Sequence, residues 1–159
     1  MEEPDPRRPR STAATLAILA ALLGVTAGVG AFTYVYAEGD SYLSDDPEAC
    51  ANCHVMQGHY DAWSRGSHRA VATCNDCHAP HDSPLGKYRV KAINGFNHSW
   101  AFTTGDFPDT LRITESNRRV TEGACRHCHE AMVHAIDPLA APDDRISCIR
   151  CHRGVGHGP

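Results

Sequence analysis

The sequence predicts a mainly α-helical chain with long loops: one N-terminal helix able to cross a bilayer, then a domain whose interior is built from something other than side chains. Three observations predict it. No charged residue occurs from Ser11 to Ala37, a stretch longer than the ~20 residues that span a bilayer as a helix. All eight cysteines of the chain fall in four copies of one pattern, Cys-x-x-Cys-His. Finally, of 159 residues only about 120 lie beyond the apolar stretch, too few for a generous side-chain core.

The flanks of the apolar stretch are asymmetric. Arg7, Arg8 and Arg10 precede it, whereas Glu38, Asp40, Asp45, Asp46 and Glu48 follow it. By the positive-inside rule, residues 1–11 are expected in the cytoplasm, 12–37 form a transmembrane anchor, and 38–159 form an exported domain. Tyr34 and Tyr36 sit where an interfacial aromatic belt belongs. The competing reading is a cleaved secretory signal ending at Val35-Tyr36-Ala37, but the apolar run exceeds the roughly 7 to 15 residues of a signal core. Either way the domain is exported, to a compartment where thiols are consumed rather than left spare.

The four motifs are Cys50-Ala-Asn-Cys53-His54, Cys74-Asn-Asp-Cys77-His78, Cys125-Arg-His-Cys128-His129 and Cys148-Ile-Arg-Cys151-His152. Each is the signature of c-type haem attachment, in which two thiols form thioethers with one porphyrin and the adjacent histidine reaches its iron. Pairs of Cys-x-x-Cys also build zinc sites. Zinc, however, has no use for a histidine fixed after the second cysteine in all four copies. Four covalent haems are therefore expected, and these macrocycles supply the missing interior. The formal net charge of −4 goes with no nucleic-acid partner.

Beyond the anchor, the motifs fall into two pairs, 50–78 and 125–152, which suggests two dihaem modules. Between them, 83–102 has the longest helical character, with Ser83-Pro84 as its start signal. Lys87, Lys91, Asn94 and His98 recur at steps of four, three and four and share one helical face. Gly95 interrupts that segment. A solvated polar face is the plain reading of the stripe. Lys87 and Lys91 are nevertheless the only lysines, against thirteen arginines, and could form a localised proton-accepting or anion-holding patch. Downstream, Gly105 to Val120 reads as a surface loop before a short helix into Cys125, and Asp137 to Asp144 as another loop. The tail Arg153 to Pro159 is too glycine-rich for a helix.

A low-spin haem takes two axial ligands. Outside the motifs the candidates are His59, His68, His81, His98, His127, His134 and His157, together with Met56 of Cys50-Ala-Asn-Cys53-His54-Val-Met56. His68 and His157 are favoured; His59, His81, His127 and His134 read as surface residues. Met56 is specific, and sulfur ligation raises a haem's potential relative to bis-histidine ligation. The first haem is expected to differ from the others.

The single anchor, the extended first motif ending at Met56, and Lys87-x3-Lys91-Ala-x2-Gly95-x2-His98-Ser99 together resemble the NapC/NirT family of tetrahaem quinol dehydrogenases, and within it the short NrfH type. The resemblance implies Met56 on the first haem with His54 not coordinating, and a quinol oxidised beside that haem at the membrane surface. It implies His157 opposite His129 on the third haem and His68 opposite His152 on the fourth. The second haem, on His78, would take a lysine from a partner subunit. Lys87 would be the quinol-site lysine. Some members place an acidic residue where this chain has Asn94, and an amide cannot accept a proton as a carboxylate can. Lys87, Lys91, His98 or water would then accept it, or Asn94 only positions the quinol.

By that resemblance the chain oxidises menaquinol from the quinone pool and passes electrons to an exported multihaem cytochrome c reductase, the ammonia-forming nitrite reductase, on which nitrite is reduced. Two alternatives stand: a tetrahaem relay with no quinol site of its own, and a quinol dehydrogenase serving a nitrate or other oxyanion reductase.

Overall fold

Every regular element among the described residues of this computed structural model is helical. Residues 8–137 and 145–158 are described; Arg7, residues 138–144 of the loop expected after Asp137, and Pro159 lie outside them. The chain divides after Asp40 into two units.

The first unit is essentially one helix, α1 (Arg8–Tyr36). Its stretch Ser11–Tyr36 has a mean hydropathy of 2.1 and none of its apolar window is buried. Leu16, Ile18, Leu22, Leu23 and Phe32 are exposed on all sides. A helix apolar all round cannot satisfy itself in water and matches a bilayer interior in length and composition. Phe32 and Tyr36 stack one turn apart near its end.

A 3₁₀ turn, Gly39–Leu43, runs through the boundary, and the second unit carries α2 (Pro47–Ala51), α3 (Gln57–Ser64), α4 (Cys74–His78), α5 (Pro84–Thr104), α6 (Glu115–Cys128), α7 (Glu130–Ile136) and α8 (Cys148–His152), with 3₁₀ turns at His54–Met56 and Ser67–Ala70. The long helix α5 starts as expected: the Ser83 hydroxyl accepts from Gly86 N at 2.9 Å and Pro84 occupies the first turn, where its missing N–H costs nothing. It ends on Gly105, whose φ of 69° is the left-handed conformation that glycine adopts freely.

One expectation needs correction. Residues 115–120, read as the end of a surface loop, are the first turns of α6. Thr114 caps that helix by accepting from Asn117 N, and Glu115 binds Arg118 and Arg119 three and four residues on. The cap and first-turn acid are an N-terminal signal that outweighs the local polarity. The tail after α8 is turn-rich and not helical, as expected.

Among the described residues, buried apolar side chains are nearly absent. Only Ala79 and Ala124 of these fall in that class, one residue after the second motif and one before the third. Ala79 ends α4 and Ala124 lies within α6, the helices that pack most extensively against each other and so join the two motif pairs.

Candidate functional site

Short helices position the motifs, and side-chain caps start them. The Asp46 carboxylate accepts from Glu48 N at 3.0 Å to begin α2. Thr73 and Asp76 form a reciprocal capping box on α4. Ser147 begins α8 and Glu122, reaching across from α6, accepts from Cys148 N at 2.8 Å and Ile149 N at 3.2 Å; the Ser147 hydroxyl donates to the same carboxylate. These hydrogen bonds draw the Glu122 carboxyl below its ordinary value, against the opposing effect of burial.

In α4 and α8 the helix runs through the whole motif. The two cysteines, three apart, and the histidine, four from the first, then project from one face. In α6 the helix ends at Cys128 and His129 makes the turn into α7. This donor set fits a covalently attached porphyrin, and a domain with almost no buried apolar side chains has room and need for four. Among the described residues no three His, Cys, Asp or Glu side chains converge as a zinc site requires.

The first motif is built differently. Helix α2 stops at Ala51, Cys53 is extended (φ −84°, ψ 112°), and His54–Met56 is a 3₁₀ turn closed by Met56 N donating to Cys53 O at 2.8 Å. In a 3₁₀ turn residues i and i+3 eclipse, so Met56 is aligned with Cys53, and His54 lacks the relation to its cysteines that His78 and His152 hold within α4 and α8.

Both favoured distal histidines lie against motif histidines. The rings of His157 and His78 are 6.1 Å apart and nearly parallel, and those of His68 and His129 are 6.2 Å apart. The resemblance implied His129 for His157 and His152 for His68; the rings each one faces here belong to the preceding motif. His59, read as a surface residue, is half-buried with its ring 4.8 Å from that of His157. His81 and His127 are exposed and stack on each other at 4.5 Å, while His81 Nε2 donates to Asp76 O. His134 is exposed, as expected.

The stripe on α5 is not a solvated face. Lys91 is 7% exposed and donates to Leu43 O (3.2 Å), Ser44 O (2.8 Å) and Asp45 Oδ1 (3.0 Å). An ammonium has three donors, and all three are used. Lys87 donates to Asp45 Oδ2 at 2.5 Å and is 30% exposed. The Asp45 carboxyl is held down at about 2, chiefly by hydrogen bonds from Lys87 and Lys91, and the Lys87 ammonium is raised by Asp45 in return. Asn75, inside the second motif, donates to Ser44 O and Asp45 Oδ1. Further along, Tyr42 hydrogen-bonds His98 Nδ1, and its ring lies over Gly95, where an added Cβ would sit 3.3 Å from the ring. The glycine that weakens α5 is what admits that ring. Asn94 exchanges two amide hydrogen bonds with Asn117 of α6, at 3.2 and 3.1 Å.

The cluster stands beside the first motif. Asp46, the residue after Asp45, caps the helix that carries Cys50, and burial pushes the Tyr42 phenol up to about 12. Asp45 and Tyr42 are the members of this cluster that no sequence pattern marks. In the sequence Asp45 is only negative charge beyond the anchor, although a buried lysine demands a partner.

Residues 9–159 match the NapC/NirT cytochrome c family, N-terminal region. The chain is 35% identical over 154 residues to the cytochrome c-type protein NrfH of Wolinella succinogenes, covering 89% of this chain and 86% of that protein. It is 34% identical over 134 residues to the cytochrome c nitrite reductase subunit NrfH of Nitratidesulfovibrio vulgaris, covering 84% and 80%. Its fold is similar to a chain in the crystal structure of a cytochrome c nitrite reductase NrfHA complex bound to the inhibitor HQNO, with a TM-score of 0.62, 30% identity, and 87% and 90% of the two chains covered.

Proposed function

Because the chain belongs to the NapC/NirT cytochrome c family, we propose that it is a quinol dehydrogenase: a single-pass, membrane-anchored tetrahaem cytochrome c that oxidises menaquinol and feeds an exported multihaem nitrite reductase. Residues 1–11 would be cytoplasmic, 12–37 the anchor and 38–159 the exported domain. The observation that carries the quinol reading is the Lys87–Asp45–Lys91 cluster on α5, beside the first haem motif. Similarity to NrfH proteins and to a chain of an NrfHA complex supports the choice of partner.

The haems supply one-electron acceptance when bound. The chain's own residues handle the quinol. Lys87, protonated and partly exposed, keeps donors for a quinol oxygen. Being held as an ammonium, it orients the quinol and does not take its proton. Lys91, with every donor spent, clamps the segment Leu43–Asp45. Asn94, tied to Asn117, contributes position. That leaves His98, oriented through Nδ1 by Tyr42, and water as routes for the two protons. Cys50/Cys53, Cys74/Cys77, Cys125/Cys128 and Cys148/Cys151 would attach the four haems, Met56 would serve the iron of the first, and His68 and His157 would supply further iron ligands.

Anaerobic mixing of the detergent-solubilised holoprotein with a reduced menaquinol analogue tests this. The haem bands of the native chain should reduce rapidly, and Lys87→Ala should slow that reduction at least about a hundredfold, while dithionite still reduces all four haems in both. Native protein that stays oxidised would leave a relay fed by another protein. Adding purified ammonia-forming nitrite reductase should give quinol-dependent nitrite consumption; turnover only with a nitrate or other oxyanion reductase would move the partner assignment.

A further inference from the structure

We propose that Asp45 is the positioning residue of the quinol site: its carboxylate, bonded at once to Lys87, Lys91 and Asn75, fixes the Lys87 ammonium where a quinol oxygen meets it. The inference rests on the quinol-oxidising reading and deepens it. Four observations support it. Asp45 Oδ2 receives Lys87 at 2.5 Å, and Oδ1 receives both Lys91 at 3.0 Å and Asn75 at 2.8 Å. Lys91 is buried and saturated, so the backbone beneath Asp45 cannot swing. Asn75 belongs to the second motif and Asp46, the next residue, caps the helix of the first; the carboxylate is therefore registered against two haem attachments. Lysine is a flexible point charge on a long stem, and without an anchor a 30% exposed Lys87 would sample many rotamers at an entropic cost to binding.

The arrangement also answers the loss of an acid at Asn94. An acidic residue at that point would stand on α5 itself, whereas here the negative charge comes from the segment that leads into the first motif, more than forty residues earlier. It offsets one of the two lysine charges, leaving the cluster with a net positive charge, without occupying the face that Asn94 shares with α6. The role is one of position: a carboxylate held down at about 2 by two ammonium groups is a weak base.

The experiment uses detergent-solubilised full-length holoprotein as native chain, Asp45→Asn and Asp45→Glu. With a menaquinol analogue, Asp45→Asn should raise KM about tenfold with a smaller change in kcat, the mark of lost ligand positioning, and Asp45→Glu should recover most of it. Reductive methylation with ¹³C-formaldehyde labels only Lys87, Lys91 and the N-terminal amine in this chain and preserves charge. In Asp45→Asn the Lys87 resonance, assigned by its loss in Lys87→Arg, should titrate at lower pH than in the native protein. An unchanged KM, or an unchanged Lys87 titration, overturns the proposal. Native protein that no quinol reduces would instead defeat the quinol reading, while the titration still shows whether Asp45 holds Lys87.

Discussion

At the scale of single residues, the Asp45–Lys87 pair has a definite pH signature. Asp45 is lowered from 3.8 to about 2, so its contribution to folding is complete above the unfolded value and is lost as pH falls from about 4 to about 2. Lys87 is raised from 10.5; its contribution is complete below that value and is lost as pH climbs past it. The thermal-midpoint difference between native holoprotein and Asp45→Asn should therefore be flat from about pH 5 to 9 and shrink at both ends. Asp45 is 53% exposed, so the plateau should be small, under about 1 kcal/mol. A difference that instead changed between pH 6 and 7 would assign the coupling to a histidine. Which of these residues could be read in the sequence follows from distance along the chain. Lys87, Lys91, Asn94 and His98 share a face through helical spacing alone. Their partners Asp45, Tyr42 and Asn117 lie 23 to 56 positions away, where no periodic pattern reports them.

At the scale of elements, the haem-bearing helices are too short to persist by themselves, since isolated helices under about 12 residues are marginal in water. Five-residue α4 and α8 survive through caps. The caps of α2, α4 and α6 are local and visible as Asp46, Thr73 with Asp76, and Thr114, the last of which sets the start of α6 inside a polar, turn-rich stretch. The cap on α8 is completed by Glu122, 25 to 27 residues away, and could not be read locally. Glu122→Ala strips three donors of their acceptor, including two backbone N–H groups, at about 1 to 3 kcal/mol for each group left unsatisfied. Its effect should fall on α8: the holoprotein should melt lower and lose haem at the Cys148–Cys151 motif first, read by haem content and by mass spectrometry of the haem peptides. Equal loss at all four motifs would show that Glu122 supports the domain as a whole rather than this helix.

At the scale of the whole molecule, the domain after Ser41 has a hierarchy that follows from where its few polypeptide contacts lie. The need for haem as interior was legible from length and motif count. Which haems matter most to the fold was not, because it depends on the pairing of α4 with α6 across the boundary between the two motif pairs. Helix α2 packs on α3, the His54–Met56 turn and α4, and α8 packs on α6; α4 and α6 stand in the middle. Both buried alanines of the described residues belong to this pair, Ala79 at the end of α4 and Ala124 within α6. Removing an attachment at the centre should therefore release neighbouring helices, whereas removing one at the edge should release only itself. Cys74→Ser with Cys77→Ser is expected to lower total haem by more than one equivalent and to make the domain protease-sensitive throughout. Cys148→Ser with Cys151→Ser should cost a single haem and leave cleavage confined to the chain after Asp137. Haem quantification and limited proteolysis of membrane-extracted protein decide between these outcomes. Equal loss from both double variants would mean that each haem stabilises the domain alike and that the α4–α6 contact is not its centre.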